Sequence, residues 1–398
     1  MEPPRSRIPL HHSFGRAARM RRSKSLLFMV TNEVTATTLL RGFLRSLRER
    51  DFEVTLVASS EGDLETFARN EGIKSVSVPM HREPRPLADL RSLGALTRLL
   101  LQRRPEIVVT ATPKVSLLGM VAAFLTSVPV RIYQVWGLRS ETETGARRLL
   151  LETLERVALR LATHIVANSE SLAEEVQRLA PKRRVDVVGL GSSHGVDVSR
   201  FDRETNLPTL PAEALSQLRD NRLVVGSVGR VHRDKGILTL LAAMHNVAER
   251  IPATLLVVGP SEDPATEAEL DRHRGELRIV RVGRVEDPRP WFLEMDIHVL
   301  PTLREGFPNV VLEASALSVP TITTTATGAR DSVIAGVTGL LVPPRDEAAL
   351  AAAIERLARN PDERRSMGRA GRAWVTQNFE QGEVWALQAR YLEEARQR

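Results

Sequence analysis

Twice along this chain, compact apolar runs of strand length alternate with longer stretches whose apolar residues recur at helical spacing. In the first half the strand-like runs are SLLFMV (25–30), FEVTLVAS (52–59), KSVSVPM (74–80), EIVVTATP (106–113) and VRIYQVWG (130–137). Between them, VTATTLLRGFLRSLRERD reads as one helix, GDLETFARNEG as a helix with a glycine stop, and LADLRSLGALTRLLLQRRP as a helix that ends at Pro105. Short, nearly unbroken apolar runs separated by helices are what a parallel sheet covered on both faces requires. The alternation restarts at RLVVGSVGR (222–230) and continues through ATLLVVG (253–259), LRIVRVG (277–283), DIHVLPT (296–302), PTITTT (320–325) and GLLVPPRD (339–346). A chain of 398 residues also exceeds one ordinary core.

The expected fold class is therefore α/β, with two Rossmann-like domains facing a cleft and ligands held at the carboxyl ends of the strands, where the glycines cluster. The expected boundaries are a basic, disordered tail (1–23), a first domain (24–201), a connection (202–220) where the periodicity weakens and prolines appear, a second domain (221–378), and a last helix (379–398) that crosses back to the first domain. In HIVANSESLAEEVQRLA, Ser169 or Ser171 can cap the helix that follows the strand.

The bulk composition removes several function classes. There is no cysteine, hence no disulfide, thiolate metal site or cysteine nucleophile. The net charge is +7, carried mostly by arginine, and favours an anionic partner such as a nucleotide, a lipid-linked diphosphate or a phospholipid surface. No RNA-recognition motif, zinc finger or aromatic-interleaved basic run argues for nucleic acid. The run VSLLGMVAAFLTSVPV (115–130) is too short to span a bilayer and reads as a buried helix, and the N-terminal stretch lacks the apolar core of a secretory signal. No D-x-D pair occurs and the histidines are scattered, so no metal is expected.

Two segments concentrate candidate chemistry. GSVGRVHRDKG (226–236) follows a strand and precedes the apolar run ILTLLAAM, so Gly229 lies in the turn while Arg230 and Lys235 flank a helix start, where free backbone N–H groups favour an anion. Two solvated cations on an ordinary strand–loop–helix unit would look the same. In REGFPNVVLE (304–313), Glu305 lies on the loop and Glu313 four residues after Asn309 on the following helix, with Pro308 suited to the first turn. A carboxylate near a helix start can accept two hydroxyls from a vicinal diol; a capping carboxylate and an exposed helical glutamate are the plainer reading. Gly306 would free backbone N–H groups, and Phe307 could close the loop against the sheet. Lys114, opening the apolar helix, could meet a phosphate or simply snorkel at the surface. His194 and its neighbours Ser192, Ser193 and Asp197 read as structural loop residues.

Together, E-x7-E, GR…KG and VTGLLVPPRD in the second half, with ATPKVSLLGM (111–120), ANSESL (167–172) and GLGSSHGVDVSRF (189–201) in the first, resemble the family 4 glycosyltransferases of the GT-B fold, in particular those that build capsular and exopolysaccharides on lipid carriers. The resemblance implies a retaining, metal-independent hexosyltransferase without a cofactor, whose donor is a nucleotide-diphosphate sugar of the UDP type and whose acceptor is a lipid-linked saccharide or another polysaccharide precursor. It implies that Arg230 and Lys235 hold the donor diphosphate, that Glu305 and the backbone of Gly306, Phe307, Pro308 and Asn309 hold the donor sugar, and that Glu313 binds the ribose. It places the nucleobase near Gly283, Val285 and Glu286. Many relatives carry a histidine where this chain has Trp136, which could stack on a sugar or sit partly in the core. The segment TNEVTAT (31–37), without the relatives' glycines, is a loop that could border the acceptor. The implied location is cytoplasmic, with the basic and apolar helix RRLLLETLERVALRL able to rest on the inner membrane face. A sugar-nucleotide epimerase of similar fold, or a non-catalytic sugar-nucleotide or membrane-surface binding protein, are the alternatives.

Overall fold

The structure, a computed structural model, describes residues 24–81, 85–220 and 222–397. The basic tail read for residues 1–23 lies outside them. The first sheet contains seven parallel strands, β1 (Lys24–Asn32), β2 (Phe52–Ser59), β3 (Lys74–Ser77), β4 (Ile107–Thr110), β5 (Val130–Val135), β6 (His164–Ala167) and β7 (Asp186–Val187), in the order β3-β2-β1-β4-β5-β6-β7. The second contains six, β8 (Leu223–Val228), β9 (Ala253–Val258), β10 (Ile279–Val282), β11 (Ile297–Leu300), β12 (Thr321–Thr324) and β13 (Gly339–Val342), in the order β10-β9-β8-β11-β12-β13, again parallel throughout.

The apolar runs are unbroken because both faces of each sheet are covered. In β1, Leu27 and Met29 enter one core with Val57, Val108 and Tyr133, while Leu26, Phe28 and Val30 enter the opposite core with Leu56, Val109 and Ile132. That alternation follows from the two-residue period of a strand. The second sheet repeats it, with Val225, Leu255 and Val299 on one side and Val224, Leu256 and Val258 on the other.

Both sheets have the same reversal in strand order. In the first, β1 lies between β2 and β4; in the second, β8 lies between β9 and β11. At such a switch point the helices after the two central strands leave toward opposite faces, so the turns diverge and a crevice opens at the strands' carboxyl ends. The turns after β1, β4, β8 and β11 are therefore the ones to examine.

Several local readings change. The single helix expected after β1 is two, Glu33–Leu39 and Phe43–Arg48, and the segment read as a loop at 31–37 is a tight strand-to-helix junction capped by Asn32, whose side chain accepts from the Thr35 backbone N–H at 2.9 Å. The break falls at Gly42 (φ 80°), where a Cβ would lie 2.6 Å from the Trp385 ring and where the freed N–H groups of Gly42 and Arg45 donate to the buried Glu71 carboxylate. Ser169 caps the helix Glu170–Leu179, whereas the Ser171 hydroxyl reaches Asp331 in the other half. The stretch 202–220 contains a short helix, Ala212–Leu218, that its prolines concealed. The helix Pro113–Leu125 buries Val115, Leu118, Met120, Ala122 and Ala123, and among the described residues no helix is long and apolar enough to cross a membrane.

The last helix, Gln381–Gln397, packs on the first sheet. Ala389, Leu392 and Ala395 join the core of Leu26, Phe28 and Phe43, and Trp385 tilts against Phe43 with ring centres 6.1 Å apart. The two segments that cross between the halves run side by side and are hydrogen bonded, Val196 N–H to the Phe379 carbonyl (2.8 Å) and Gln381 N–H to the Val196 carbonyl (3.0 Å).

Candidate active site

The four switch-point turns meet in one cleft of about 530 Å³. Thr31 and Asn32 come from the end of β1, Ala111 to Lys114 from the end of β4, Arg230 and Lys235 from the turn after β8, and Arg304 to Asn309 from the turn after β11. Trp136, Gly137 and Arg139 after β5, Asn168 after β6 and His194 also belong to the first-domain wall.

The turn after β8 is short and charged. Arg230 pairs with Glu262, and Lys235 pairs with Glu305 across to the next turn. Asp234 ties the same two turns together: its carbonyl accepts from the Leu303 N–H at 2.8 Å and the Thr302 hydroxyl at 3.0 Å, and its carboxylate pairs with Arg304 at 2.8 Å. Arg304 reaches over to the first domain, donating to the Thr142 hydroxyl at 3.1 Å. Each cationic side chain is thus held in place by a carboxylate, at low exposure for Lys235 and Glu305 (19% and 13%), where ion pairs are screened less than at the open surface.

Gly306 fills a place no other residue could. A Cβ there would lie 2.3 Å from the Trp136 carbonyl oxygen, so the two domains approach backbone to backbone at this point. Phe307 is buried and lies in the second-domain core, with its ring 5.3 Å from Phe379. Pro308 precedes the helix Asn309–Ala316, and Asn309 opens it.

Trp136 both lines the cleft and packs on the first core, tilted against Phe28 at 6.5 Å. Its indole N–H is buried without a hydrogen-bond partner among the described residues. His194, read from the sequence as a structural loop residue, stands edge-on to the Trp136 ring at 5.1 Å and lines the same cleft. Its Nδ1 is 2.9 Å from the Ser193 hydroxyl, its Nε2 is buried without a partner among the described residues, and burial lowers its pKa to about 4, so the ring is neutral at neutral pH. Lys114 lines the cleft with its ammonium 2.6 Å from Asp89 and only 11% of its side chain exposed, so the snorkelling alternative does not describe it.

Gly229, Gly283, Val285 and Glu313, given donor-binding roles from the sequence, stand apart from this lining. Gly229 sits at the end of β8, donating its N–H to the Val258 carbonyl at 2.9 Å, and the Gly283 carbonyl accepts from Gly259 at 3.1 Å. Val285 packs beside the core that contains Trp291 and Phe292. Glu313 lies one helical turn beyond Asn309; burial raises its pKa to about 7, Arg200 lowers it, and Asp287 raises it further. It retains partial exposure over the whole residue although its carboxyl is enclosed. Thr31 and Asn32 belong to the segment 31–37 read as able to border the acceptor, whereas Glu262 and Arg304 are contributors that sequence reading did not single out for a role. Only their positions just after apolar runs marked them, a signal shared by many loop residues.

Comparison with known proteins places this arrangement. Residues 35–191 match the model of the glycosyl transferase 4-like domain and residues 222–360 that of the glycosyl transferases group 1. The chain is 35% identical over 367 residues, 90% of its own length and 94% of the relative's, to the capsular polysaccharide biosynthesis glycosyltransferase CapM of Staphylococcus aureus. It is 27% identical over 71% of its length, and 74% of the relative's, to the Escherichia coli UDP-Gal:alpha-D-GlcNAc-diphosphoundecaprenol alpha-1,3-galactosyltransferase. Among solved structures, Anabaena HepE in complex with UDP superposes with a TM-score of 0.74 over 93% of this chain and 100% of HepE at 20% identity. The sucrose-phosphate synthase of Thermosynechococcus elongatus does so with 0.77 over 93% of this chain and 98% of the synthase at 21% identity.

Proposed function

The chain belongs to the group 1 glycosyltransferases, family GT4 with the GT-B fold, and from that premise we propose that it moves a sugar from a UDP-sugar to a lipid-linked saccharide in polysaccharide assembly, with retention and without a metal. The observation that carries this reading is the convergence of Arg230, Lys235 and the Glu305–Asn309 turn on one cleft, facing Lys114 and Trp136 of the other half. Residues 24–201 then serve as the acceptor domain, 202–220 as the connection, 221–378 as the donor domain, and 379–398 as the returning helix.

The chemistry follows from charge. As the glycosidic bond to phosphate breaks, negative charge grows on the leaving diphosphate, and preorganised cations stabilise it more in the transition state than in the ground state. Arg230 and Lys235 fill that role once the diphosphate replaces Glu262 and Glu305 as their partner. Glu305, released from Lys235, accepts donor-sugar hydroxyls, and the N–H groups of Gly306, Phe307 and Asn309 add donors, with Pro308 fixing the turn. Glu313 accepts the ribose diol, Gly229 lets the turn approach the phosphates, and Gly283 and Val285 border the base. Trp136 offers a ring face to the donor sugar or the acceptor, and Lys114 a charge to an acceptor phosphate. The UDP-linked names of HepE's complex and of the E. coli galactosyltransferase support the donor, and the latter supports the lipid-diphosphate acceptor. Exposed Leu149, Leu150 and Val157 on the basic helix Gly145–Leu161 suit a cytoplasmic enzyme resting on a membrane face where such acceptors reside.

Incubating the protein with radiolabelled UDP-sugars and a lipid-diphosphate-linked saccharide tests the proposal. Label on the acceptor is the expected result; an epimerised nucleotide or an unchanged donor overturns it in favour of an epimerase or a binding protein. Replacing Lys235 with Ala is expected to raise the Kd for UDP by about tenfold or more, since a hydrogen bond to a charged group contributes ~1.5–3 kcal/mol. Calorimetry checks this, and an unaltered Kd removes Lys235 from the diphosphate.

A further inference from the structure

In the second domain, none of them among the residues that line the cleft, His245, His273 and Glu276 come together. His273 ends the helix Pro264–His273 and Glu276 follows it three positions on, while His245 comes from the helix Ile237–Ala248 packed beside it. His245 Nε2 lies 2.9 Å from His273 Nδ1, His273 Nδ1 lies 3.3 Å from a Glu276 oxygen, and that oxygen lies 3.6 Å from His245 Nε2. We propose that these three side chains form a binding site for a zinc-class divalent metal ion, with a fourth position open to water.

The geometry is what such an ion requires. A triangle with sides of 2.9, 3.3 and 3.6 Å has a circumscribed radius of about 1.9 Å, so an ion ~2.0–2.1 Å from each ligand atom sits just off their plane, as at one face of a tetrahedron. Protons alone serve the cluster poorly. If His245 donates to His273, the accepting Nδ1 faces the Glu276 carboxylate as one acceptor against another. If both nitrogens carry protons, the two N–H groups confront each other at 2.9 Å, and a lone proton on His273 Nδ1 can serve both of its neighbours but leaves His245 Nε2 and the Glu276 oxygen as two acceptors 3.6 Å apart. One cation satisfies all three edges.

The surroundings agree. Both histidines lie in the last turns of their helices, whose carbonyl ends favour positive charge. Glu269 lies 3.8 Å from His273 Nε2, the ring nitrogen turned away from the ion, where a carboxylate orients a ligating imidazole. The histidine side chains remain about one-third exposed, which leaves an entry path. The helix that bears His245 begins at Ile237, directly after Lys235 and Gly236, so the ion would anchor the far end of the element that presents Lys235 to the cleft. This inference rests on the three side chains and stands whether or not the glycosyl-transfer reading holds.

The test uses the full chain carrying His11→Ala and His12→Ala, which removes the adjacent histidine pair as a rival ligand. Zinc binding is measured by competition with a chromophoric chelator, and cobalt(II) loading by visible absorption. The expected result is one zinc ion per chain, a tetrahedral cobalt spectrum, and a zinc-dependent rise in Tm. His245→Ala and His273→Ala should each weaken binding by about tenfold or more and abolish the spectrum. Glu276→Gln, which keeps the side chain's shape, should weaken binding while leaving the metal-free Tm unchanged, and covers the case in which a histidine variant misfolds. Unaltered stoichiometry and affinity in Glu276→Gln together with either histidine variant, or no bound zinc in the background protein, overturns the site.

Discussion

Glu305 and Glu313 belong to one turn and its helix, yet their surroundings give them different chemistry. Glu305 is paired to Lys235 at the cleft wall, while Glu313 is enclosed beside Arg200 and Asp287 with its pKa pushed up to about 7. On the proposed reading, substituting Glu305 with Ala removes an acceptor at the donor sugar; it also leaves Lys235 without its partner. Turnover is expected to fall by about 10²–10³-fold, equivalent to ~2.7–4 kcal/mol of barrier, with the circular dichroism spectrum unchanged. Steady-state kinetics check it, and intact turnover removes the residue from the site. For Glu313 the sign is set by which form the diol prefers. If Glu313 accepts ribose hydroxyls as proposed, affinity is full above the raised pKa and declines as pH falls through about 7. The Kd for UDP-glucose should therefore rise from pH 8 to pH 6, and Glu313→Gln should flatten the profile. A sugar nucleotide suits this measurement because its diphosphate does not itself titrate in that range. Calorimetry showing the same pH slope in both proteins would detach Glu313 from the ribose.

At the scale of elements, the turns matter more than the strands and helices they join. The short connection around Gly42 illustrates this. Its positive φ, the Trp385 ring beside it and the Glu71 carboxylate beneath it fix where one helix stops and the next begins. Gly42→Ala should destabilise the protein by about 1–3 kcal/mol from backbone strain alone, read as a lower denaturation midpoint in urea. A midpoint within error of the parent would mean that the turn relaxes freely. The strand cores were legible in the sequence because β1, β2, β8 and β9 are buried on both faces and read as continuous apolar runs. The turn segments of Arg230, Lys235 and Glu305 were legible because they follow such runs directly. Other features were not: β7 is two residues long, the break at Gly42 depends on a tryptophan more than 300 positions away, and His194 enters the cleft from a loop with no period of its own. The approach of His245 to His273 likewise has no local signature, because it is created by two helices meeting.

For the whole molecule, the relation between the halves is set along one flank of the cleft. The Ser171 hydroxyl pairs with Asp331 and accepts from the Gly328 N–H at 2.7 Å, Arg330 pairs with Glu174, and Arg304 reaches Thr142. Asp331→Ala removes the centre of that contact. Small-angle scattering of the donor-free protein should then report a larger radius of gyration, and saturating UDP should narrow the difference; identical curves would mean that the contact does not hold the halves together. Two chain segments, hydrogen bonded to each other near Val196 and Phe379, connect the halves, which restricts their relative motion more than one linker would.

The helix Gln381–Gln397 has a consequence for how this protein is made. Its Trp385, Ala389 and Leu392 complete a core whose buried members outside this helix, from Leu26 to Val166, leave the ribosome long before it. The first sheet keeps part of that face uncovered until residues 381–397 have been made, while the core of the second can close beforehand. Order of synthesis and order of completion are therefore reversed in this chain.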